Sequence, residues 1–292
     1  MPRADYEFGA QLGRGSFGVV FRVRRKSDGR AFVCKQIQLK GMEKRARDEA
    51  DQEVKLLRRV SSGSDYIVQY VASFLEADSL HMVMELCENG DLSQFLKSRA
   101  GRLVEERTVW KFTIQIALGL RHLHRHRILH RDIKSLNVFL TSADDVRLGD
   151  LGVARVLGHN TQFAHTFVGT PYYLSPELCE EQPYNELSDV WAFGCVVYEM
   201  CALRHPFEAK NHAALLIKIL NGRYAPISTS FSDDLRTLID GCMRREWRDD
   251  GSSKRRTRLA ELLASAPLRH WSETLAIPVD EPSTEDDAAA PE

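Results

Sequence analysis

Asp132, Lys134 and Asn137 fall inside one short stretch, His130-Arg131-Asp132-Ile133-Lys134-Ser135-Leu136-Asn137, and Asp150 follows eighteen residues after Asp132 at the head of Asp150-Leu151-Gly152. A carboxylate, an ammonium two residues on and two further oxygen donors are the groups that phosphoryl transfer from ATP requires. The carboxylate orients an attacking hydroxyl and accepts its proton, a role that falls to Asp132. Asn137 and Asp150 offer oxygen ligands to Mg²⁺, a hard cation, and Mn²⁺ takes the same donors. Lys134 can neutralise charge on the group in transit.

Gly13-Arg14-Gly15-Ser16-Phe17-Gly18 is a G-x-G-x-x-G, a weak signal alone because dinucleotide sites and ordinary glycine hairpins share it. A dinucleotide-binding copy opens a helix, whereas here Val19-Val20-Phe21-Arg22-Val23 continues as strand. A glycine loop between two strands suits a lid whose bare backbone N–H groups approach ATP phosphates. Lys35, in Phe32-Val33-Cys34-Lys35-Gln36-Ile37, shares a strand face with Val33. Val33 can then cover adenine while the ammonium reaches phosphate. That ammonium needs a carboxylate to fix it. Of Glu43, Asp48, Glu49, Asp51 and Glu53, Glu53 is the best candidate, because Leu57 four residues on shares its face and points into the lobe. Glu53 is the expected partner, and the other acids read as a solvated face.

These residues need two kinds of support. Val19–Val23 and Ala31–Ile37 are β-rich runs joined through Ser27-Asp28-Gly29, a hairpin signal. An amphipathic helix is expected over 40–59, and strands over Ile67–Phe74 and Leu80–Leu86. After Asn89-Gly90-Asp91 the pattern turns helical, over Thr108–His124, Ser188–Met200, Asp233–Met243 and Arg258–Leu263. The expected fold class is α+β, with a small β-rich lobe over about 6–85, a connection at 86–91 and a larger helical lobe over 92–270. From Ser272 onward there is no basic residue, and residues 271–292 read as an acidic, disordered tail.

Composition removes other classes. A formal net charge of −1 gives no global pull toward nucleic acid or an anionic membrane. Val190–Tyr198, the strongest apolar run, is about half the length of a membrane span, and the N-terminus carries no signal-peptide core. A soluble cytoplasmic protein is expected. Six scattered cysteines without a CxxC pair fit reduced thiols. His122, His124, His126 and His130 cluster, but His122 and His126 share a helical face and His130 belongs to the H-R-D loop, so they are not read as a convergent metal site. The basic stretches Arg121–Arg131 and Lys254–Arg258 lack aromatic interleaving and read as solvated faces, not nucleic-acid contacts.

The glycine loop, Lys35, Glu53, the H-R-D-x-x-x-x-N loop and Asp-Leu-Gly together resemble the protein-kinase signature set. Gly169-Thr170-Pro171-Tyr172-Tyr173-Leu174-Ser175-Pro176-Glu177 looks like the end of a kinase activation segment. Ser188 through Gly194 looks like the central helix of the large lobe. Arg107–Lys111, Asp132–Leu140 and Val168–Glu177 are similar to NIMA-related kinases, and the resemblance covers about residues 6–270. Lys134 and Gly169-Thr170-Pro171 follow the serine/threonine pattern, which implies phosphorylation of Ser or Thr on protein substrates within a two-lobed kinase fold.

The resemblance also implies that Met84 is the gatekeeper and that Glu85 to Cys87 form the hinge that bonds adenine. Phe139 would floor the adenine pocket, Asp91 would lie near the ribose, and Leu12, Gly13–Gly18, Val20 and Val33 would enclose the nucleotide. Thr166 occupies the position that NIMA-related kinases phosphorylate, with Arg131 placed to receive the phosphate. Relatives act at centrosomes, cilia or in mitosis, so nuclear or centrosomal sites and cytoskeletal or regulatory partners stand beside the cytoplasmic expectation. Leu151 departs from the usual Phe, Ser175 from the usual Ala, and Lys254-Arg255-Arg256-Thr257 from the usual Arg-Pro. Arg255 is the expected partner of Glu177. A pseudokinase that binds nucleotide without catalysis and a small-molecule kinase are the contrasting readings. The intact Lys35, Asp132, Asn137 and Asp150 speak against the first, and the full Gly169–Glu177 segment against the second.

Overall fold

A computed structural model describes residues 3–15, 18–41, 54–55, 57–150, 171–247 and 255–279. The small lobe is an antiparallel sheet of β1 (Tyr6–Gly15), β2 (Gly18–Arg25), β3 (Ala31–Gln38), β4 (Tyr70–Glu76) and β5 (Ser79–Glu85), in the order β1-β2-β3-β5-β4. The β2–β3 turn falls where Ser27-Asp28-Gly29 predicts it. Asp28 accepts from Arg25 Nε at 3.0 Å and from the Arg30 N–H at 3.1 Å, while Gly29 takes a left-handed φ of 70°. Strand alternation sorts β3 cleanly. Phe32 and Cys34 join Tyr6, Val23 and Val83 in one apolar cluster, and Ile37 joins Leu39, Val54, Leu80 and Met82 in another.

The strand expected from Ile67 begins at Tyr70. Ile67 instead makes an isolated parallel bridge to Leu148, with Val68 N–H donating to the Leu148 carbonyl at 2.8 Å and Leu148 N–H to that of Tyr66 at 2.8 Å. This short segment stitches the small lobe to the hairpin of β6 (Val138–Leu140) and β7 (Val146–Leu148).

The large lobe is built on α2 (Glu106–Arg125) and α4 (Glu186–Ala202). Helix α4 is apolar on nearly every face and accordingly lies buried from Ser188 to Cys201. Asn185 caps its N-terminus and forms a reciprocal box with Ser188. Around this pair lie α1 (Leu92–Ser98), α3 (Pro176–Cys179), α5 (His212–Asn221), α6 (Asp233–Cys242), α7 (Leu259–Ala264) and α8 (Ala266–Leu275). Helices α1, α3, α5 and α8 lie outside the segments expected to be helical from the sequence pattern. Their caps are visible in sequence nonetheless: Asp91 before α1, and Asn211 and Gly222 on either side of α5. No helix among the described residues is long and apolar enough to cross a membrane.

One boundary needs correction. Residues 271–279, assigned to the acidic tail by composition, belong to the packed lobe. Trp271 stacks on Trp110 with ring centres 5.9 Å apart, Ser272 is buried, and Ile277 and Val279 are buried in the core cluster. Arg121 also donates to the Val279 carbonyl. Replacing Trp271 by Ala is expected to cost about 2 kcal/mol, less than a fully buried tryptophan because its ring is half-exposed. Urea unfolding of the variant beside the wild type checks this, and an unchanged midpoint would return the segment to the tail.

Candidate active site

The loop that carries Asp132 is held from beneath. Asp189, wholly buried on α4, accepts the N–H of His130 and of Arg131 at 3.0 Å each, and His124 Nε2 lies 2.8 Å away. Burial alone pushes the Asp189 carboxyl upward. The His124 hydrogen bond and the neighbouring imidazoles outweigh it and keep the group below the usual carboxylate range. Arg131 adopts a left-handed φ of 65°, a strained turn that these two bonds hold in place.

Above it, Asp132 Oδ2 accepts Lys134 Nζ at 2.8 Å and Asn137 Nδ2 at 2.9 Å, and Asn137 Nδ2 also meets the Asp132 carbonyl at 2.8 Å. The Gly149 N–H donates to the Asn137 carbonyl at 3.0 Å, which brings the next residue, Asp150, beside this loop. Asp150, at φ 58°, forms an ion pair with Lys35 across 115 residues of sequence. Lys35, Asp132, Lys134, Asn137 and Asp150 thus meet in the cleft between the lobes. Glu53, Ser16, Phe17, Leu151 and Thr166 lie outside the described residues.

The remaining sequence candidates lie on the small-lobe sheet, at the connection and on β6. Val20 stands opposite both Gly13 and Lys35 in register, and Val33 opposite Met84. Leu12 is exposed on β1, as is Arg14. The glycines differ in reason. A Cβ on Gly18 would meet the Gln36 carbonyl oxygen at 2.0 Å, so the sheet itself forbids a side chain. A Cβ on Gly13 would meet nothing within 4 Å. The position therefore opens on free space that a side chain would occupy.

At the connection, Glu85 accepts the Gln69 N–H at 2.8 Å and pairs with Arg147 at 3.2 Å, while burial raises its carboxyl pKa. Burial likewise pushes the Cys87 thiol up to about 12, helped by the Glu85 charge, so this cysteine is a weak nucleophile at neutral pH. Asp91 caps α1 through the Gln94 N–H at 2.9 Å and Gln94 Nε2 at 2.8 Å. Phe139 on β6 bridges to Asp91, and Gly149 has no room for a Cβ against its ring.

Two arrangements were not foreseen. Arg256, not Arg255, partners Glu177: its Nη1 and Nη2 reach the two carboxylate oxygens at 2.7 and 3.0 Å, with both side chains fully buried. Arg256 also donates to the carbonyls of Arg244 and Leu187 and lies 4.9 Å from the Trp191 ring centre. Arg255 points the other way and pairs with Glu261. Adjacent arginines leave opposite sides of an extended chain, and only one can face inward. The second arrangement is a buried relay. The Tyr173 hydroxyl donates to Glu199 Oε2 at 2.5 Å, and Ser135 Oγ bonds Glu199 Oε1 at 3.1 Å and the Tyr173 hydroxyl at 3.0 Å. Glu199 is the lone charged residue between Val190 and Cys201, a signal that sequence reading could have used. The histidine cluster resolves into separate structural bonds, His122 to the Val60 carbonyl and His126 to that of His122.

The protein kinase domain family matches residues 6–263. The chain belongs to that family, and within it to the NIMA-related kinases. Serine/threonine-protein kinase Nek1 of Mus musculus is 46% identical over 239 residues, 82% of this chain and 20% of the relative. Serine/threonine-protein kinase Nek4 of Mus musculus is 44% identical over 240 residues, 82% of this chain and 30% of the relative. The probable serine/threonine-protein kinase nek2 of Dictyostelium discoideum is 42% identical over 242 residues, 80% of this chain and 57% of the relative. The chain thus spans less than two thirds of these relatives. The kinase domain has the donor set for a divalent cation. With Asn137 Nδ2 committed to Asp132, its amide oxygen and the Asp150 carboxylate are hard donors suited to Mg²⁺.

Proposed function

We propose that this domain is an active serine/threonine protein kinase that transfers the γ-phosphate of ATP to Ser or Thr hydroxyls of protein substrates. The meeting of Lys35, Asp132, Lys134, Asn137 and Asp150 at one cleft carries the reading. Asp132 orients the acceptor hydroxyl and takes its proton. Lys134, bonded to Asp132, offsets charge on the transferring group, and Lys35 orients phosphate from above. Mg²⁺ held by Asn137 and Asp150 would neutralise the phosphate oxygens. Val20, Val33, Met84 and Phe139 form the apolar slot for adenine, and the backbone from Glu85 to Cys87 offers its hydrogen bonds. A pseudokinase would lack one or more of these groups. Purified chain given Mg-ATP and casein should incorporate phosphate on Ser or Thr, and nucleotide binding without incorporation would favour the pseudokinase.

Activation is proposed to run through Thr166, with Arg131 as the cation that receives its phosphate. A phosphate adds nearly two negative charges, and each charge-assisted hydrogen bond contributes roughly 1.5–3 kcal/mol, enough to order a loop. Thr166→Ala is expected to lose most of the activity, and mass spectrometry of active enzyme should find phosphate on Thr166. Fully active protein unmodified at Thr166 would overturn this.

A further inference from the structure

Away from the catalytic cleft, a second cleft of about 470 Å³ opens between α4, the loop that follows it and the C-terminal end of α5. Its wall carries Arg204, His205, Lys218 and Arg223 against a single acid, Glu208. Lys218 Nζ is fixed on the Glu208 carbonyl at 2.6 Å, and Tyr198, hydrogen-bonded to the Ala225 carbonyl at 2.9 Å, closes the floor. Arg204 and Arg223 are exposed. The charge balance is positive, although the chain as a whole is slightly negative.

His205, on the wall of this cleft, links it to the catalytic loop through a chain of side-chain contacts. His205 stacks on Tyr172 with ring centres 4.1 Å apart and meets Tyr173 edge-on at 5.4 Å. The hydroxyl of Tyr173 bonds Ser135, three residues past Asp132. That series of contacts leads from the catalytic loop to a wall bearing three cations, Arg204, Lys218 and Arg223. The aromatic rings here engage one another, Tyr198 edge-on to Tyr224 at 5.4 Å and His205 stacked on Tyr172, so the cations are what this wall offers a partner. We propose that the α4–α5 cleft docks an acidic segment of the protein substrate, outside the residue that is phosphorylated. The assignment rests on the kinase reading for what the docked protein is, and on charge complementarity for its chemistry.

Two peptides with the same threonine acceptor, one flanked by Glu and one by Gln, test it with the full chain. The Glu-flanked peptide should show a KM about five-fold lower at equal kcat, the gain expected from two exposed ion pairs. Arg204→Gln combined with Arg223→Gln should erase that difference and leave both constants for the Gln-flanked peptide unchanged. Equal KM values in the wild type, or a difference that survives in the double variant, overturns the proposal. Fluorescence anisotropy with the Glu-flanked peptide carrying Ala at the acceptor needs no phosphate transfer. Charge-dependent binding without catalysis would sink the kinase reading alone, whereas catalysis without charge-dependent binding would sink the docking site alone. A full chain carrying Asp280→Asn, Glu281→Gln, Glu285→Gln, Asp286→Asn and Asp287→Asn supplies the last arm. Tighter peptide binding by that chain would assign the cleft to the protein's own acidic end and overturn the substrate assignment.

Discussion

Asp132→Asn is expected to slow peptide phosphorylation roughly 10²–10⁴-fold, the range for loss of a positioned general base, with the melting midpoint little changed. The amide keeps the shape of the carboxylate and can still accept from Lys134 and Asn137, so the loop retains its bonds. What goes is the oxygen proposed to take the proton of the attacking hydroxyl. Lys134 and Asp132 are about a third exposed, at 30% and 38%, so their ion pair contributes little to folding in water. Lys35→Met should lose activity on a similar scale, because it removes the ammonium that faces Asp150 and leaves the methylene stem in the sheet. Steady-state rates beside thermal melts of each purified variant decide the matter. A folded variant that phosphorylates at the wild-type rate would remove its residue from the machinery.

Arg256→Ala is expected to destabilise the large lobe by about 3–5 kcal/mol, since it strands the Glu177 carboxylate without a partner in a site closed to water. Substituting both residues at once, Arg256→Met with Glu177→Leu, should cost much less, because neither charge is then buried. Acidity separates the two effects. Burial raises the Glu177 carboxyl pKa, but the bidentate Arg256 contact and the Ser188 hydroxyl at 2.7 Å outweigh it and hold the group below its ordinary 4.5. A folded-state value below the unfolded one contributes stability that is present above pH 4.5 and is lost as pH falls through the folded value. In Arg256→Ala the stranded carboxylate gains by protonation instead. The stability gap between wild type and variant should therefore narrow as pH is lowered toward 4.5. Urea unfolding at neutral and mildly acidic pH measures the gap, and one that stays constant or widens would refute the pairing.

How much could be read in advance depended on whether a feature is local. Asp132, Lys134 and Asn137 bond to one another within a few residues, so their spacing already carried their geometry. The α+β division was legible because β3 alternates and α4 does not. Lys35 and Asp150 were matched only by the chemistry they share, since nothing local joins them. Arg255 and Arg256 have the same side chain, and which of them faces Glu177 depends on where the chain enters from Gly241 and Glu246. The end of the domain was misread because average acidity hides a few well-spaced apolar anchors, Trp271, Ile277 and Val279. Glu199 passed unnoticed inside an apolar run, although a lone charge there demands buried partners.

The grip of Asp189 on the backbone of His130 and Arg131 has a mechanical consequence. It ties the backbone of the catalytic loop to a helix surrounded by packed side chains, while the small-lobe sheet meets the large lobe through the stitch at Ile67 and Leu148 and the Glu85–Arg147 and Lys35–Asp150 pairs. Rocking of one lobe on the other can then open the nucleotide slot and stretch the Lys35–Asp150 span without disturbing the aim of Asp132. For the proposed kinase activity, bond transfer and ADP escape would then be timed by different motions. A side chain placed on Gly13 should reset the second and leave the first at its wild-type pace.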